Sequence, residues 1–477
     1  MKNTASPSVK SSNSNTATHI SQADIFWDEA GQPKSKEFDD VYFNTDSGID
    51  ESRYVFIQPS QLQTRWQQHK GSFTLVETGF GTGFSFLLTW LEWQHFRANN
   101  NHDTQANPSL QHLHYISIEK TPLDKQQIAK ALALFPTLKP LVDQLIALYP
   151  LLIKGFHSLQ FKDQHLTLTL IFDDVSEALP QLNGPIDAWY LDGFAPAKNP
   201  GMWTDELYRS MARLSKENTT LATFTAAGDV RRGLMGAGFK LNKVPGFGMK
   251  REMMFGSFVQ SQGPLPNVFE DTKPWLSPLV QTAEHVAVIG AGIAGCSTAY
   301  ALARRGIKVT VFDPHGIATE ASGNPQGAMY AKLAAGEATH SNIYIQGYLQ
   351  SVRWLHQQLE PGDGWDNCGL IQLASSDKEA KRQQKFVDNT DYPTQLLYPI
   401  SQQQACDISG VSLNCGGLFF PHAGWVSPQR LCQELLKHPL ISFEQTHVEK
   451  LTQTESDWQL QCRASEKEAV VKEVGYK

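Results

Sequence analysis

The chain has 477 residues, of which 41% are hydrophobic and 19% charged, with a formal net charge of −7 at pH 7. This length predicts two to four domains with sizeable cores, and the composition excludes a disordered, collagen-like or disulfide-scaffold chain. The net charge excludes a protein coated in basic residues, although it leaves room for a local basic patch.

The cysteines and the apolar segments narrow the class further. All six cysteines lie beyond residue 290 and none forms a C-x-x-C pair, so we expect no metal site and a cytoplasmic protein. Residues 1–22 are rich in Ser, Asn and Thr without an apolar run, which predicts a flexible leader rather than a signal peptide. The uncharged stretch at 286–303 contains three glycines and suits a strand, turn and helix, so we expect no membrane segment.

The first glycine-rich turn follows a strand-like segment that begins at Thr74. It reads Glu77-Thr-Gly79-Phe-Gly81-Thr-Gly83, and a helical pattern follows at 85–96. Closely spaced glycines let a ligand approach the backbone. An E-x-G-x-G-x-G turn is typical of S-adenosylmethionine methyltransferases, which predicts that Glu77 and the three glycines hold S-adenosyl-L-methionine. A tight connection without a ligand is the alternative.

The pattern of the following residues alternates between strands and helices. Strand-like segments at 115–119, 166–172, 188–191 and 220–224 enclose helical patterns such as 125–134 and 205–214, and the polar run at 99–108 reads as a loop insertion. Alternation of this kind predicts an α/β fold with a Rossmann-like, doubly wound sheet.

Three acidic residues close successive strands of this predicted sheet. Glu119 stands where an acid commonly binds ribose hydroxyls. Asp174 closes the next strand and is a candidate acceptor for the adenine amine. Asp192 begins a Gly/Pro-rich loop at the carboxyl edge, where doubly wound proteins place their chemistry. Each acid alone is also compatible with a solvated cap.

The residue types of the first half narrow the reaction. Methylation of a pyrimidine carbon normally needs a thiolate nucleophile, and residues 1–262 contain no cysteine. Transfer to an amine needs only positioning and a group that keeps the amine neutral. We therefore predict Asp192 as the catalytic residue for transfer to a heteroatom.

A basic segment lies at 229–251, with six basic residues against one acid. Arg231, Arg232, Lys250 and Arg251 are the candidate nucleic-acid-binding residues within it. An ordinary solvated surface is equally compatible with this composition.

The second half begins after a Pro-rich segment, 263–284, which reads as a linker. Gly290, Gly292 and Gly295 form a G-x-G-x-x-G turn between an apolar strand and a helix, and Asp313 lies 23 residues after Gly290. This spacing and context predict a dinucleotide site in which the acid holds the adenosine ribose.

The nature of the dinucleotide depends on the next loop. Residues 318–327 are rich in small residues, with Ser322, Gly323 and Asn324 at their centre. Such a loop suits contact with a second part of the pyrophosphate or with a flavin, as in D-amino-acid-oxidase-like flavoproteins. We therefore predict FAD, with a plain surface loop as the alternative.

Several segments together resemble a known family. They are 25–29, 38–43, 54–57, 77–83, the long Asp-Gly-Phe-Ala-Pro-Ala-Lys-Asn-Pro segment within 187–203, and 246–252. From about residue 23 to about 460 the chain resembles the bifunctional enzymes that synthesise 5-methylaminomethyl-2-thiouridine in tRNA. The resemblance implies a methyltransferase domain at 23–262 and an FAD-dependent oxidoreductase domain at 285–477.

The resemblance also implies a function and a substrate. The FAD-dependent domain would remove the carboxymethyl group from 5-carboxymethylaminomethyl-2-thiouridine at the tRNA wobble position. The methyltransferase domain would then methylate the resulting primary amine. The resemblance also implies that the basic segment at 229–251 contacts tRNA.

One feature departs from this family. Residues 466–477 lack the late strand and glycine turn that complete the FAD site in such flavoproteins. We therefore expect a shortened oxidoreductase domain, with methyl transfer retained and the FAD reaction impaired. Two other interpretations stay open, namely a small-molecule amine oxidase fused to an amine methyltransferase, and a methyltransferase with a non-catalytic FAD-like module. The sequence carries no signal for an oligomeric state.

Overall fold

The computed structural model describes residues 20–45, 47–100, 110–161, 164–248, 250–259, 283–333, 338–454, 457–463 and 475–476. Three predicted segments lie mostly outside the described residues: the leader, the linker, and residues 466–477, which were expected to lack the late strand and glycine turn of the FAD site. The last leader residues pack on the first half of the chain, because Ile20 is buried and the Gln22 amide donates to Asp124 Oδ2 at 2.7 Å.

The first half of the chain is an α/β structure. Its strands are β1 (Ile25–Trp27), β2 (Pro33–Ser35), β3 (Asp40–Val41), β4 (Gly71–Glu77), β5 (Leu110–Glu119), β6 (Gly155–Phe161), β7 (Leu166–Phe172), β8 (Ile186–Leu191), β9 (Ser215–Thr223), β10 (Phe239–Pro245) and β11 (Glu252–Phe258). Its α-helices are α1 (Gly48–Ser52), α2 (Gln58–Ser60), α3 (Leu62–Gln68), α4 (Phe84–Asn100), α5 (Lys125–Leu132), α6 (Lys139–Leu148), α7 (Val175–Ala178), α8 (Asp205–Leu214) and α9 (Gly228–Gly236). The described residues of this half also form a π-helical turn at Arg53–Ile57 and two 3-10 turns at Pro136–Leu138 and Leu179–Gln181.

Eight of these strands form one sheet, in the order β10-β11-β9-β8-β4-β5-β7-β6. Only β6 and β11 run against the other six strands. The chain order reverses at β4, which has β5 on one side and β8 on the other. In a doubly wound sheet such a reversal opens a crevice at the carboxyl ends of the strands. The predicted doubly wound fold is confirmed, and the crevice lies beside β4 and β8.

The core explains why this sheet forms. Every residue of β8 is buried, as expected for a central parallel strand covered on both faces. One face packs on the aromatic side chains of α4, in which Trp90 and Trp93 are fully buried. The other face packs on α8, which buries Met211 and Leu214. The carboxyl edge is thereby held rigidly between two packed layers.

The second half has a small parallel sheet and several antiparallel ones. Its strands are β12 (His285–Ile289), β13 (Lys308–Phe312), β14 (Gly327–Met329), β15 (Trp365–Asp366), β16 (Leu370–Leu373), β17 (Tyr398–Ile400), β18 (Gly417–Phe420), β19 (Gly424–Val426), β20 (Ile441–Glu444), β21 (His447–Gln453), β22 (Trp458–Arg463) and β23 (Gly475–Tyr476). Its helices are α10 (Ile293–Ala303), α11 (Ala338–Gln358), α12 (Asp377–Asn389), α13 (Gln402–Ser409) and α14 (Pro428–Leu435). The parallel sheet has the order β12-β13-β20, with α10 following β12 as the glycine motif predicts.

The two halves meet along β6, an edge strand of the large sheet. Main-chain carbonyl oxygens at this edge accept hydrogen bonds from side chains of the second half: Gln160 O from Gln357 Nε2 at 2.8 Å, and Phe161 O from Arg304 Nη2 at 3.1 Å. A covered edge strand has its free backbone groups satisfied. The described parts of the chain contain no helix long and apolar enough to cross a bilayer, and no cluster of three or more His, Cys, Asp or Glu side chains suited to a metal ion.

Candidate active site

A cavity of about 520 Å³ opens at the carboxyl ends of β4 and β8, next to a narrower slot of about 90 Å³. The two spaces share four wall residues: Gly79, Glu119, Gly193 and Phe194. Together they form a bent space beside the glycine turn, which suits a ligand with one flat part and one extended part.

The glycine turn packs closely against the backbone at the end of β8. A Cβ at position 79 would lie 3.1 Å from the carbonyl oxygen of Asp192, tighter than most real contacts. Gly81 and Gly83 have φ values of +51° and +79°, in the left-handed region that favours glycine. Side chains at these positions would strain the turn or narrow the space beside β8.

Glu77 lies beneath the turn and lines neither space. It is 1% exposed and accepts a hydrogen bond from Ser117 Oγ at 2.7 Å. Burial, reinforced by the nearby Asp192 carboxylate, raises the pKa of Glu77 well above its usual range. The structure therefore places Glu77 under the turn, away from both spaces. Any effect of Glu77 on the ligand would be indirect, through its support of the turn.

Glu119 lines both spaces, at the end of β5. Its Oε2 accepts from the Gly81 amide and its Oε1 from the Thr121 amide, both at 2.9 Å. Burial raises the pKa of Glu119, while these backbone donors favour its ionised form. The carboxylate is thus fixed where the sequence predicts the acid that binds ribose.

Replacing Glu119 with Ala should weaken binding of S-adenosyl-L-methionine by about tenfold or more, because a hydrogen bond to a charged group contributes roughly 1.5–3 kcal/mol. Isothermal titration calorimetry of the whole chain measures this affinity. Glu217→Ala, which removes an exposed carboxylate from β9, is the matched control. An equal affinity of the two variants would contradict the assignment.

Asp174 caps α7 and borders the slot. Its Oδ1 accepts from the amide and the hydroxyl of Ser176, at 2.9 and 2.7 Å, and its Oδ2 lies 2.9 Å from Lys120 Nζ. Asp174 therefore acts as a helix cap, which was the alternative to a ligand contact in the sequence analysis. The apolar neighbours Ile118 and Met202 line the same slot, which suits a flat ring.

Asp192 faces the larger cavity from the end of β8. Its Oδ1 accepts from the Gly193 amide at 2.9 Å, and its Oδ2 accepts from Ser85 Oγ at 3.3 Å. Burial raises the pKa of Asp192 to about 6, opposed by the Lys250 ammonium and reinforced by the Glu51 carboxylate. A carboxyl with this pKa is ionised near neutral pH and still able to take up a proton.

The N-terminal segment forms one wall of the cavity, a role that the sequence did not reveal. Phe194, in the loop after Asp192, stacks on Phe38 with ring centroids 4.7 Å apart and meets the edge of Tyr42 at 5.3 Å. Asp40 accepts from the amide of Ala195 at 3.3 Å. The sequence feature that could have indicated this role is the run of aromatic and acidic residues at 38–43, because clustered aromatic side chains are usually buried or in contact with a ligand.

The second glycine turn has the geometry of a dinucleotide site. Gly290 has a φ of +103°, Gly292 is the N-cap of α10, and a Cβ at position 295 would overlap the carbonyl oxygen of Gly290. Asp313 Oδ2 accepts from the Ala291 amide at 2.9 Å, which holds the turn against the end of β13. The three glycines are placed as such a motif requires. The Asp313 carboxylate supports the turn, and its predicted contact with the adenosine ribose stays a prediction.

The loop predicted to contact FAD lies against the start of α10. Ser322 Oγ accepts from the Ile293 amide at 3.0 Å. The Gly323 amide donates to Glu320 O at 2.8 Å, and Asn324 Nδ2 donates to Ala321 O at 3.3 Å. The loop therefore brings a hydroxyl and a tight turn to the helix N-terminus that binds pyrophosphate in such folds.

The predicted nucleic-acid-binding residues lie at the carboxyl edge of the large sheet, which also carries the cavity. Arg231 and Arg232 stand near the start of α9, which follows β9, and Arg232 pairs with Asp229. Lys250 and Arg251 lie in the turn between β10 and β11, and Lys250 lines the larger cavity. Four basic residues from two segments are thus on one side of the molecule.

Comparison with known proteins identifies both halves. A family described as S-adenosyl-L-methionine-dependent methyltransferase matches residues 136–258, and the FAD dependent oxidoreductase family matches residues 285–472. The tRNA 5-methylaminomethyl-2-thiouridine biosynthesis bifunctional protein MnmC of Ectopseudomonas mendocina is 46% identical, over 88% of this chain and 62% of its own length. The protein of the same name from Pseudomonas syringae pv. tomato is 42% identical, over 92% of this chain and 65% of its own length.

The crystal structure of MNMC2 from Aquifex aeolicus is 21% identical, covers 50% of this chain and 71% of that chain, and has a TM-score of 0.36. The chain spans 62–65% of the length of the two bifunctional relatives. The resemblance and the two cofactor classes predicted from the sequence are confirmed. The chain therefore joins an S-adenosyl-L-methionine-dependent methyltransferase domain to an FAD dependent oxidoreductase domain, and its sequence is similar to those of the MnmC bifunctional proteins.

Proposed function

We propose that this protein modifies the tRNA wobble uridine in two steps: FAD-dependent removal of the carboxymethyl group named above is followed by methylation of the exposed amine. The names of the relatives and the order of the two domains support this proposal. The observation that carries it is Asp192, a carboxyl at the switch point of the sheet that faces a cavity of about 520 Å³. We place the reaction in the cytoplasm, with tRNA as the substrate.

The residues of the first domain suit methyl transfer to an amine. S-adenosyl-L-methionine, when bound, supplies an electrophilic methyl group. Glu119 holds the bound ligand, and Gly79 lets the glycine turn pack against the backbone of Asp192 at the cavity wall. Asp192 accepts the proton of the substrate ammonium, and its bonds from Gly193 and Ser85 fix the orientation of the carboxyl. Phe194 and its aromatic partners form the wall between the cavity and the slot.

The residues of the second domain fit FAD. Gly290, Gly292 and Gly295 permit the close turn, Asp313 stands at the end of β13 for the adenosine ribose, and Ser322 lies at the N-terminus of α10. FAD, when bound, accepts the electrons of an amine oxidation. The chain contributes the helix N-terminus and the loop that orient it.

Mass spectrometry of wobble nucleosides tests the proposal. Undermodified tRNA is incubated with the chain, with and without S-adenosyl-L-methionine and with added FAD. We expect conversion of the aminomethyl nucleoside to the methylaminomethyl nucleoside only with S-adenosyl-L-methionine. Methylation of small amines with unchanged tRNA would support the small-molecule alternative. Absence of flavin binding in a chain that still methylates tRNA would support a non-catalytic second domain.

The basic residues at the carboxyl edge should contribute to tRNA affinity. Removing one cation that binds a phosphate reduces the slope of log K against log salt by about one unit. We therefore expect the double variant Arg231→Ala/Arg232→Ala to bind tRNA more weakly and with a shallower salt slope, measured by filter binding between low and moderate salt. Lys378→Ala/Lys385→Ala removes two exposed cations from α12 and is the matched control. Equal slopes for both double variants would remove Arg231 and Arg232 from the interface.

A further inference from the structure

One wall of the larger cavity holds a cation among carboxylate and aromatic groups. Lys250 Nζ lies 2.7 Å from Glu51 Oε1 and 5.1 Å from the centroid of the Phe224 ring. All three residues line the cavity. They come from α1, the end of β9 and the turn before β11, so they meet only in the folded chain.

Asp192 lines the same cavity as these three residues. Within this cavity the Lys250 ammonium lowers the pKa of Asp192 and the Glu51 carboxylate raises it. Glu51 is well shielded, with 16% of its side chain exposed, whereas half of the Lys250 side chain is exposed. A carboxylate and an aromatic face, both at a shielded position, are the chemistry that binds an ammonium group.

The ion pair is not needed to fasten the turn that carries Lys250. Tyr54 Oη donates to Pro245 O at 3.0 Å, and the Tyr54 ring packs against Phe247 with centroids 5.8 Å apart. These contacts hold the turn on the helical segment after α1. The turn is therefore attached by contacts other than the ion pair between Lys250 and Glu51.

We propose that Glu51 and Phe224 bind the primary ammonium of the methyl-accepting substrate, and that Lys250 occupies this position until the substrate enters. This inference rests on the proposed function and deepens it. The substrate ammonium replaces the Lys250 ammonium beside Glu51, within reach of Asp192. Lys250, released toward the exposed side of the turn, then meets the phosphate backbone of the tRNA.

The first test compares two carboxylates of one helix. Glu51→Gln should raise the KM for aminomethyl tRNA about tenfold or more, since the variant removes a charge-assisted hydrogen bond to the substrate, with the affinity for S-adenosyl-L-methionine unchanged. Asp50→Asn, an exposed neighbour on α1 with the same charge change, is the matched control and should leave KM unchanged. Equal KM values for the two variants, in an enzyme whose wild type methylates tRNA, would overturn the inference. A wild type that methylates no tRNA would instead contradict the proposed function.

The second test asks whether Lys250 occupies an ammonium site. Methylammonium chloride should inhibit Lys250→Met more strongly than the wild type and in competition with aminomethyl tRNA, because the vacated position accepts the small cation. The double variant Glu51→Gln/Lys250→Met should lose this added sensitivity. Potassium chloride at equal concentration is the control for ionic strength. Equal inhibition of Lys250→Met and the wild type would show that Lys250 is only a structural partner of Glu51.

Discussion

Replacing Asp192 with Asn is expected to lower kcat for methyl transfer by about two to four orders of magnitude, the usual contribution of a positioned acid or base. The variant keeps the shape of the side chain and removes its capacity to accept the proton of the substrate amine. Single-turnover assays on aminomethyl tRNA measure the rate. Binding of S-adenosyl-L-methionine should change little, because Glu119 and the glycine turn remain in place.

The pH dependence gives this prediction a second readout. Burial raises the pKa of Asp192 from its ordinary value of 3.8 to about 6. Only the ionised carboxyl accepts a proton, so the wild-type rate should rise with pH through about 6. Asp192→Asn should lose this limb of the profile. Asp205→Asn, which changes an exposed carboxylate in the first turn of α8, is the control and should keep it. An unchanged limb in Asp192→Asn would assign the proton to another group.

The parts of the site that follow from strand order are those that the sequence predicts. Glu119 is the last residue of β5 and Asp192 directly follows β8. The carboxyl ends of parallel strands share one edge, so their nearness follows from the fold class. Gly290, Gly295 and Asp313 are similarly fixed by a local strand–turn–helix unit. For such residues, the spacing in the sequence is enough to predict that they lie close together in the fold.

The remaining parts depend on contacts between distant segments. Glu51 and Lys250 are about two hundred positions apart, and neither belongs to a motif with a fixed spacing. The position of Glu77 was equally hidden, because an acid at a strand end is compatible both with a ligand contact and with a buried support beneath the turn. The edge strand β6 alternates buried and half-buried residues, and its contacts with Gln357 and Arg304 show that it joins the two halves.

Gly295→Ala is expected to disrupt the second domain and to leave the first one active. The added Cβ would overlap the carbonyl oxygen of Gly290, a backbone atom that cannot move without displacing α10 from β12. Overpacking of this kind typically costs about 1–3 kcal/mol and sometimes more. We expect a lower unfolding temperature for the second domain and weaker binding of added FAD, measured by calorimetry and by flavin fluorescence titration.

The control for Gly295→Ala is another helical glycine of the same domain. A Cβ at Gly347, in α11, would meet no atom within 4 Å. Gly347→Ala should therefore keep FAD binding and stabilise the helix by up to about 1 kcal/mol. Methyl transfer should continue in both variants, because no described residue of the second half lines the cavity beside β4 and β8. Unchanged stability and FAD affinity in Gly295→Ala would mean that α10 does not need its close approach to Gly290, and the dinucleotide assignment of this turn would lose its main geometric support.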